Sequence, residues 1–192
     1  MDKISSLKEA SYPTLFDFLS EIDDDEESIP EEWDFQKKIL CIYGLALYLQ
    51  EISKIKDFEG LLIPSSIFLD EEKIPLFNFS KPITDYGYDT NCQCIQASNN
   101  ISKNIYSFGI ISIIILLGKF SCFNENEGKG REIKDDYKKK IKKCTSPRFI
   151  VFLSNCVSES ENCRPEINFL KNAVEEMIKK VKLNDELINK LK

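Results

Sequence analysis

Apolar residues recur at helical spacing over most of the chain, which predicts a mainly helical domain. The first long helix follows a start signal at residues 28–31, Ser-Ile-Pro-Glu. There Ser caps the helix, Pro occupies its first turn, and Glu reaches back to the cap N–H. We expect this helix to end near Ile52. A short amphipathic helix is predicted before it, at residues 14–19.

The apolar period then shortens, which indicates strands rather than a helix. Residues 61–63 and 67–69 are short apolar runs, and a polar turn at residues 70–73 leads to another run at residues 74–77. This arrangement predicts a small β-hairpin. Pro75 has no N–H to give to a neighbouring strand, so the second strand is expected at an edge or a bulge.

A second long helix is predicted from about Ser102 to Leu117, and it is apolar on nearly all sides. Such a helix usually lies in the centre of a domain, and Gly118 is a suitable residue to end it. Its uninterrupted apolar run, residues 105–117, is shorter than the roughly 20 residues that a bilayer requires. We therefore expect a core helix and no membrane span.

The remaining pattern predicts further helices: a charged one at residues 135–143, one from Phe149 to about Cys156, and one that Pro165 begins. The apolar face of the last helix is expected to contain Phe169, Leu170, Val174, Met177 and Ile178. Residues 184–186 can cap a final short helix. The sequence thus predicts one domain, residues 1–192, of the mainly α class with a small β-hairpin.

Composition is that of a globular protein, with 42% hydrophobic and 30% charged residues. The net charge of −6 makes nucleic acid an unlikely partner, because nucleic-acid binders are usually basic. The charge is uneven: residues 1–35 hold twelve acids and two bases, whereas residues 129–143 hold eight bases and three acids.

The chain has seven cysteines and no histidine. Ser-His-Asp and Cys-His catalysis and His-ligated metals are therefore excluded. There is no Cys-x-x-Cys pair, so no zinc site is expected. An odd number of cysteines, with no apolar segment at the N-terminus to direct secretion, predicts reduced thiols and a cytoplasmic protein.

Several short motifs lie in the order found in one family. They are the segment from Gly60 to Asp70, the segment from Lys73 to Ser80, Asn104-Ile-Tyr106-Ser-Phe-Gly109, and Arg164-Pro165. Over about residues 10–180 the chain resembles the large (C-terminal) lobe of a eukaryotic protein kinase. The resemblance implies structural roles for Asn104, Tyr106, Gly109 and Arg164, and Tyr106 to Gly109 is most similar to the tyrosine-kinase-like branch.

The positions that carry the chemistry in that family hold other residues here. The His-Arg-Asp triplet, whose Asp accepts the substrate proton, corresponds to Glu59, Gly60 and Leu61. The metal-binding Asn corresponds to Ser66, and the Asp-Phe-Gly triplet to Leu76, Phe77 and Asn78. Since no small lobe is recognisable either, the resemblance implies a degenerate pseudokinase with no small-molecule substrate, cofactor or metal.

We therefore expect an interaction or scaffold module that binds another protein, with apolar surface around Leu61, Leu62, Ile63 and Phe77 exposed as one candidate interface. The alternative is a fragment or one half of a kinase, with the small lobe missing or supplied by another chain. A third hypothesis is docking through the basic residues Lys138, Lys139 and Lys140. It competes with a solvated helix face that Asp135 and Asp136 balance. The oligomeric state stays open.

Overall fold

The computed structural model describes residues 13–24, 33–55, 62, 64–71, 73–76, 99–118, 133–183, 188, 189 and 191. The helices in these ranges are α1 (Leu15–Asp24), α2 (Phe35–Ile52), α3 (Asn100–Leu117), α4 (Asp135–Cys144), α5 (Pro147–Cys156) and α6 (Ile167–Val181). The strands are β1 (Phe68–Leu69) and β2 (Pro75–Leu76). The predicted fold class, mainly α with a small hairpin, is confirmed.

The hairpin lies between α2 and α3 in the chain. Its strands are antiparallel, with Phe68 opposite Leu76 and Leu69 opposite Pro75. Because β1 and β2 form a two-stranded sheet, Pro75 is at an edge as predicted. The Asp70 carboxylate closes the turn by accepting the N–H of Ile74 at 2.7 Å.

Helix α3 is the core of the molecule, as its all-round apolar pattern predicts. Every residue from Asn104 to Leu116 is buried. Asn99 caps its first turn by accepting the N–H of Ser102, and Gly118 ends it in the left-handed conformation at φ 68°. By length and composition this helix is apolar enough to cross a membrane, with a mean hydropathy of 1.5, but 72% of it is buried inside the protein.

The other helices pack around this axis. Helix α2 lies against α3 and α6, and α5 lies against α3 on another side, with α4 beside α3 and α5. Their apolar side chains form one continuous cluster. Such a single core is what a helical domain of this size needs for stability.

The structure corrects the predicted start of the long helix. Trp33 precedes α2 and is 1% exposed, and its ring centre lies 4.8 Å from that of Phe18 in an edge-to-face arrangement. The true cap is Asp34, whose carboxylate accepts the N–H of Lys37 at 2.8 Å. An Asp at this position satisfies the first-turn N–H groups as well as Ser does. Residues 28–31, where the start was predicted, lie outside the described residues.

The predicted start and face of the last long helix also need correction. Pro165 precedes α6, which begins at Ile167 after a 3-10 turn at Glu161–Cys163. Phe169 is 58% exposed, although it was assigned to the buried face. That face is Leu170, Val174, Met177 and Ile178. One residue turns an α-helix by about 100°, so Phe169 points away from it. Residues 184–186 are outside the described ranges.

Gly109 sets the distance between α3 and α5. A Cβ atom at Gly109 would lie 2.7 Å from both Cys156 Cβ and Val157 Cγ1.

We predict that Gly109→Ala lowers the free energy of unfolding by about 1–3 kcal/mol, because overpacking outweighs the better helix propensity of Ala. Urea denaturation would measure the change. In the control variant Ser112→Ala, a buried hydroxyl without a hydrogen-bond partner in the described residues is removed, so stability should stay equal or rise. Equal stability of Gly109→Ala and the wild type would contradict the close approach.

Tyr43 makes the contact between α2 and α6 dependent on pH. Its hydroxyl donates to Glu175 Oε1 at 3.1 Å, and burial together with Glu175 raises the pKa of Tyr43 to about 12. The tyrosine hydroxyl ionises near pH 10 in the unfolded chain, so between about pH 10 and 12 the folded state keeps the Tyr43 proton that the unfolded state has lost.

We predict that the wild type loses stability relative to Tyr43→Phe as pH rises through this window. Urea midpoints at pH 8, where the difference should be constant, and above pH 10 would test it; parallel curves throughout would refute it.

Candidate functional site at the loop before the hairpin

The candidate site is built on the loop that enters β1, which contains Leu62 and the 3-10 turn Pro64–Ser66. Leu62 is 1% exposed, so the prediction that it belongs to an exposed apolar surface is wrong. Burial of its side chain in the core removes apolar area from water and holds the loop down. The Ile67 carbonyl, which follows the turn, accepts the N–H of Leu15 at 2.6 Å.

Asn104 joins this loop to the core helix. Its side chain is 2% exposed, and its Oδ1 accepts the N–H of Leu62 at 2.6 Å, across 42 residues of sequence. A buried N–H that lacks an acceptor costs roughly 1–3 kcal/mol, so this bond stabilises the loop. Asn104 lies in the first turns of α3 and is one of the residues for which the resemblance implies a structural role.

Arg164 joins the same end of α3 to the segment after α5. It is 8% exposed, so the charged side chain is buried. Its Nε donates to the Ser158 carbonyl at 3.0 Å, and Nη1 donates to the Ser102 hydroxyl at 2.9 Å. The guanidinium also stacks over the Tyr106 ring at 5.1 Å. Burial of the charge is thus offset by carbonyl dipoles and an aromatic face.

The described residues cover only part of the positions that the resemblance matches to the family's catalytic residues, and at which no catalytic residue is expected here. Leu76 lies half-buried in β2, and Ser66 closes the 3-10 turn. Glu59, Gly60, Leu61, Phe77 and Asn78 lie outside the described residues, as does Ile63. Within the described part of the chain, no three Cys, Asp or Glu residues come together as metal ligands.

The basic residues of α4 pair within their own helix. Lys138 Nζ lies 3.2 Å from Asp135 and Lys139 Nζ lies 3.2 Å from Asp136. The Lys140 ammonium lies over the Tyr137 ring at 5.0 Å. Exposed pairs of this kind contribute little to stability, but they reduce the net positive charge of the face. Docking through this face stays a prediction.

Sequence reasoning missed Lys38, a buried cation at the other end of α3. Its ammonium donates to the Leu116 carbonyl at 3.2 Å and lies 5.3 Å from the centre of the Trp33 ring. Desolvation lowers the pKa of Lys38, and the nearby Cys144 opposes the shift. The signal was its position on the apolar stripe that continues through Ile42, Leu45 and Leu49 at helical spacing.

Comparison with known proteins supports a kinase-like relationship and nothing finer. No family model matches the chain. One similar curated protein is the G-type lectin S-receptor-like serine/threonine-protein kinase RKS1 of Arabidopsis thaliana. The two are 27% identical over 114 residues, and the similar part covers 49% of this chain and 14% of that protein. The chain therefore corresponds to a small part of this relative, and the comparison favours no branch of the kinases.

The bond between Asn104 and Leu62 is testable by substitution. We predict that Asn104→Leu lowers the free energy of unfolding by about 1–3 kcal/mol, because the Leu62 N–H is left buried without its acceptor. In Asn104→Asp the acceptor oxygen is retained, so a smaller loss is expected at about pH 4 and below, where the buried carboxyl is protonated and has no charge to desolvate. Urea denaturation would compare the two variants. Equal losses would mean that packing around residue 104, and not the hydrogen bond, holds the loop.

Proposed function

We propose that this chain is a catalytically inactive, protein-kinase-like large lobe that acts by binding another protein. The observation that carries the proposal is the hydrogen bond from Leu62 to Asn104. It joins the loop that would correspond to the family's catalytic loop to the first turns of a buried helix, which supports a structural role for Asn104. The similarity to part of a plant receptor-like kinase points in the same direction.

The proposed lack of activity rests on the residue types at the reacting positions. Phosphoryl transfer requires a group that positions the nucleophile and oxygen ligands that hold Mg²⁺. At these positions the sequence has Leu61, Ser66 and Leu76. Leucine side chains accept no proton and bind no cation, and a serine hydroxyl carries no charge. These replacements remove the base and the charged metal ligand together, so one compensating substitution cannot restore the chemistry.

The proposed role as a binding module rests on the contrast between these positions and the core. Asn104 and Arg164 are buried and hydrogen-bonded, so the scaffold of the lobe is maintained. Phe169 is more than half exposed and lines a surface groove together with Phe149 and Phe152. A contiguous apolar patch at the surface is typical of regions that bind another protein.

The alternative is that the chain is one part of a kinase that another polypeptide completes. The specific observation in its favour is that the curated relative is itself a kinase, of which this chain matches 14%. The two functions differ in whether the lobe retains any affinity for Mg·ATP.

Calorimetric titration separates the two functions. We predict no heat of binding when millimolar Mg·ATP is added to the folded chain, because the positions that would hold the metal carry no carboxylate. A parallel titration with ATP and EDTA corrects for dilution and for binding that does not need the metal. Saturable heat with a stoichiometry near one, which requires Mg²⁺ and disappears in Asn104→Leu, would overturn the proposal and favour the kinase half.

A further inference from the structure

A groove between α5 and α6 is the strongest unassigned feature of the described surface. It encloses about 740 Å³ and lies open to solvent. Ligand and peptide pockets commonly have volumes of 300–1,000 Å³, so several side chains can enter this one. The residues that matter for the argument are Arg148, Phe149, Phe152, Phe169, Glu176 and Lys180.

Aromatic rings form one wall and the rim of the groove. Phe149 and Phe152 stack with their ring centres 5.8 Å apart and their planes inclined by 24°. Phe149 is buried, so it fixes the half-buried Phe152, which also meets the core ring of Phe108 edge-on at 6.4 Å. Phe169 stands on the opposite helix and is 58% exposed. A rigid aromatic wall facing an exposed ring is suited to an inserted aromatic or leucine side chain.

The charges at the groove differ in sign from the chain as a whole. Arg148 and Lys180 are exposed and form no ion pair within the described residues. Glu176 is the acidic residue of the lining, so the lining has one more positive than negative charge. The whole chain has a net charge of −6. A local positive rim on an acidic protein favours carboxylates close to the apolar anchor.

We propose that this groove binds an acidic peptide segment of a partner protein. One aromatic or leucine side chain of the peptide packs against Phe152 and Phe169, and its flanking carboxylates lie at Arg148 and Lys180. The inference rests on the proposed function as a binding module and names the chemistry of the partner. Membrane surfaces and nucleic acids present many anionic groups in an extended array, whereas the described lining of this groove has only two cations, on different helices, together with the acidic Glu176.

Fluorescence anisotropy with a defined probe would test the proposal. The probe is a labelled peptide Glu-Asp-Leu-Phe-Glu-Asp, compared with Lys-Lys-Leu-Phe-Lys-Lys and with Glu-Asp-Ser-Ser-Glu-Asp. We expect saturable binding of the first peptide only, weakened by added salt because the attraction is partly electrostatic. Equal binding of the basic peptide, or no binding of the acidic one at millimolar concentration, would overturn the proposal.

Variants then locate the site on the protein. Arg148→Glu and Phe169→Ser should each weaken binding of the acidic peptide about tenfold or more, since each removes one of the two components of recognition. Glu176→Gln removes the opposing charge and should leave binding equal or tighter. Lys139→Glu is the matched control, because it reverses a charge of the same size on α4, away from the groove lining. Arg148 and Phe169 are both exposed, so substituting either of them leaves the core unchanged. Urea midpoints equal to that of the wild type would verify that these variants fold.

Two further outcomes would contradict the inference. If Lys139→Glu weakens binding as much as Arg148→Glu does, the peptide binds the basic face of α4 or responds to overall charge. If light scattering shows a dimer that Phe169→Ser dissociates, the occupant is a second copy of this chain. These results are independent of the Mg·ATP titration: nucleotide binding would refute the inactive lobe and leave the peptide data unaffected, and a failed peptide test would leave the inactive lobe in place.

Discussion

Burial of α3 on all sides from Asn104 to Leu116 is the constraint on which the rest of the structure depends. A helix without a solvent face leaves its terminal backbone groups and its polar side chains to be satisfied by the protein itself. The apolar middle of α3 packs against α2 and α5, and the lack of a side chain at Gly109 allows α5 to approach closely. The polar contacts are concentrated at the two ends, where Asn104, Arg164 and Lys38 each bind a segment distant in sequence.

The two buried cations act at opposite ends of the helix dipole. Lys38 donates to the Leu116 carbonyl at the C-terminal end, where a positive charge is favourable. Arg164 lies at the N-terminal end, where the dipole opposes a positive charge. Its partners therefore include the Ser158 and Glu159 carbonyls and the Tyr106 ring, in addition to Ser102. The planar fork of Arg permits this distribution of bonds, which a Lys at the same place would not.

The sequence pattern predicted those features that depend on residues close together in the chain. The burial of α3 followed from its uniform apolar character and its end from Gly118, and the hairpin from two short runs around a polar turn; the helix starts two residues before the predicted Ser102. The predictions failed where two neighbouring residues suited the same role. Asp34 caps α2, although Ser28 also has a capping side chain, and Phe169 lies only one residue from the buried face of α6. They also failed where a contact joins residues that are distant in sequence. The Arg164–Ser102 and Lys38–Leu116 bonds span 62 and 78 residues, and spacing in the sequence carries no information about them.

The side chain at residue 104 is a neutral amide, which costs less to bury than a carboxylate would. A buried carboxylate must recover a large desolvation cost, which several N–H donors or a neighbouring cation can offset. An amide has a much smaller cost and still provides one acceptor oxygen, which is what Leu62 uses. A lobe that no longer holds metal or positions a nucleophile needs the loop fixed in place but has no use for the charge. Under the proposed function, Asn104 keeps the hydrogen bond that holds the loop, and the negative charge that phosphoryl transfer would require is absent.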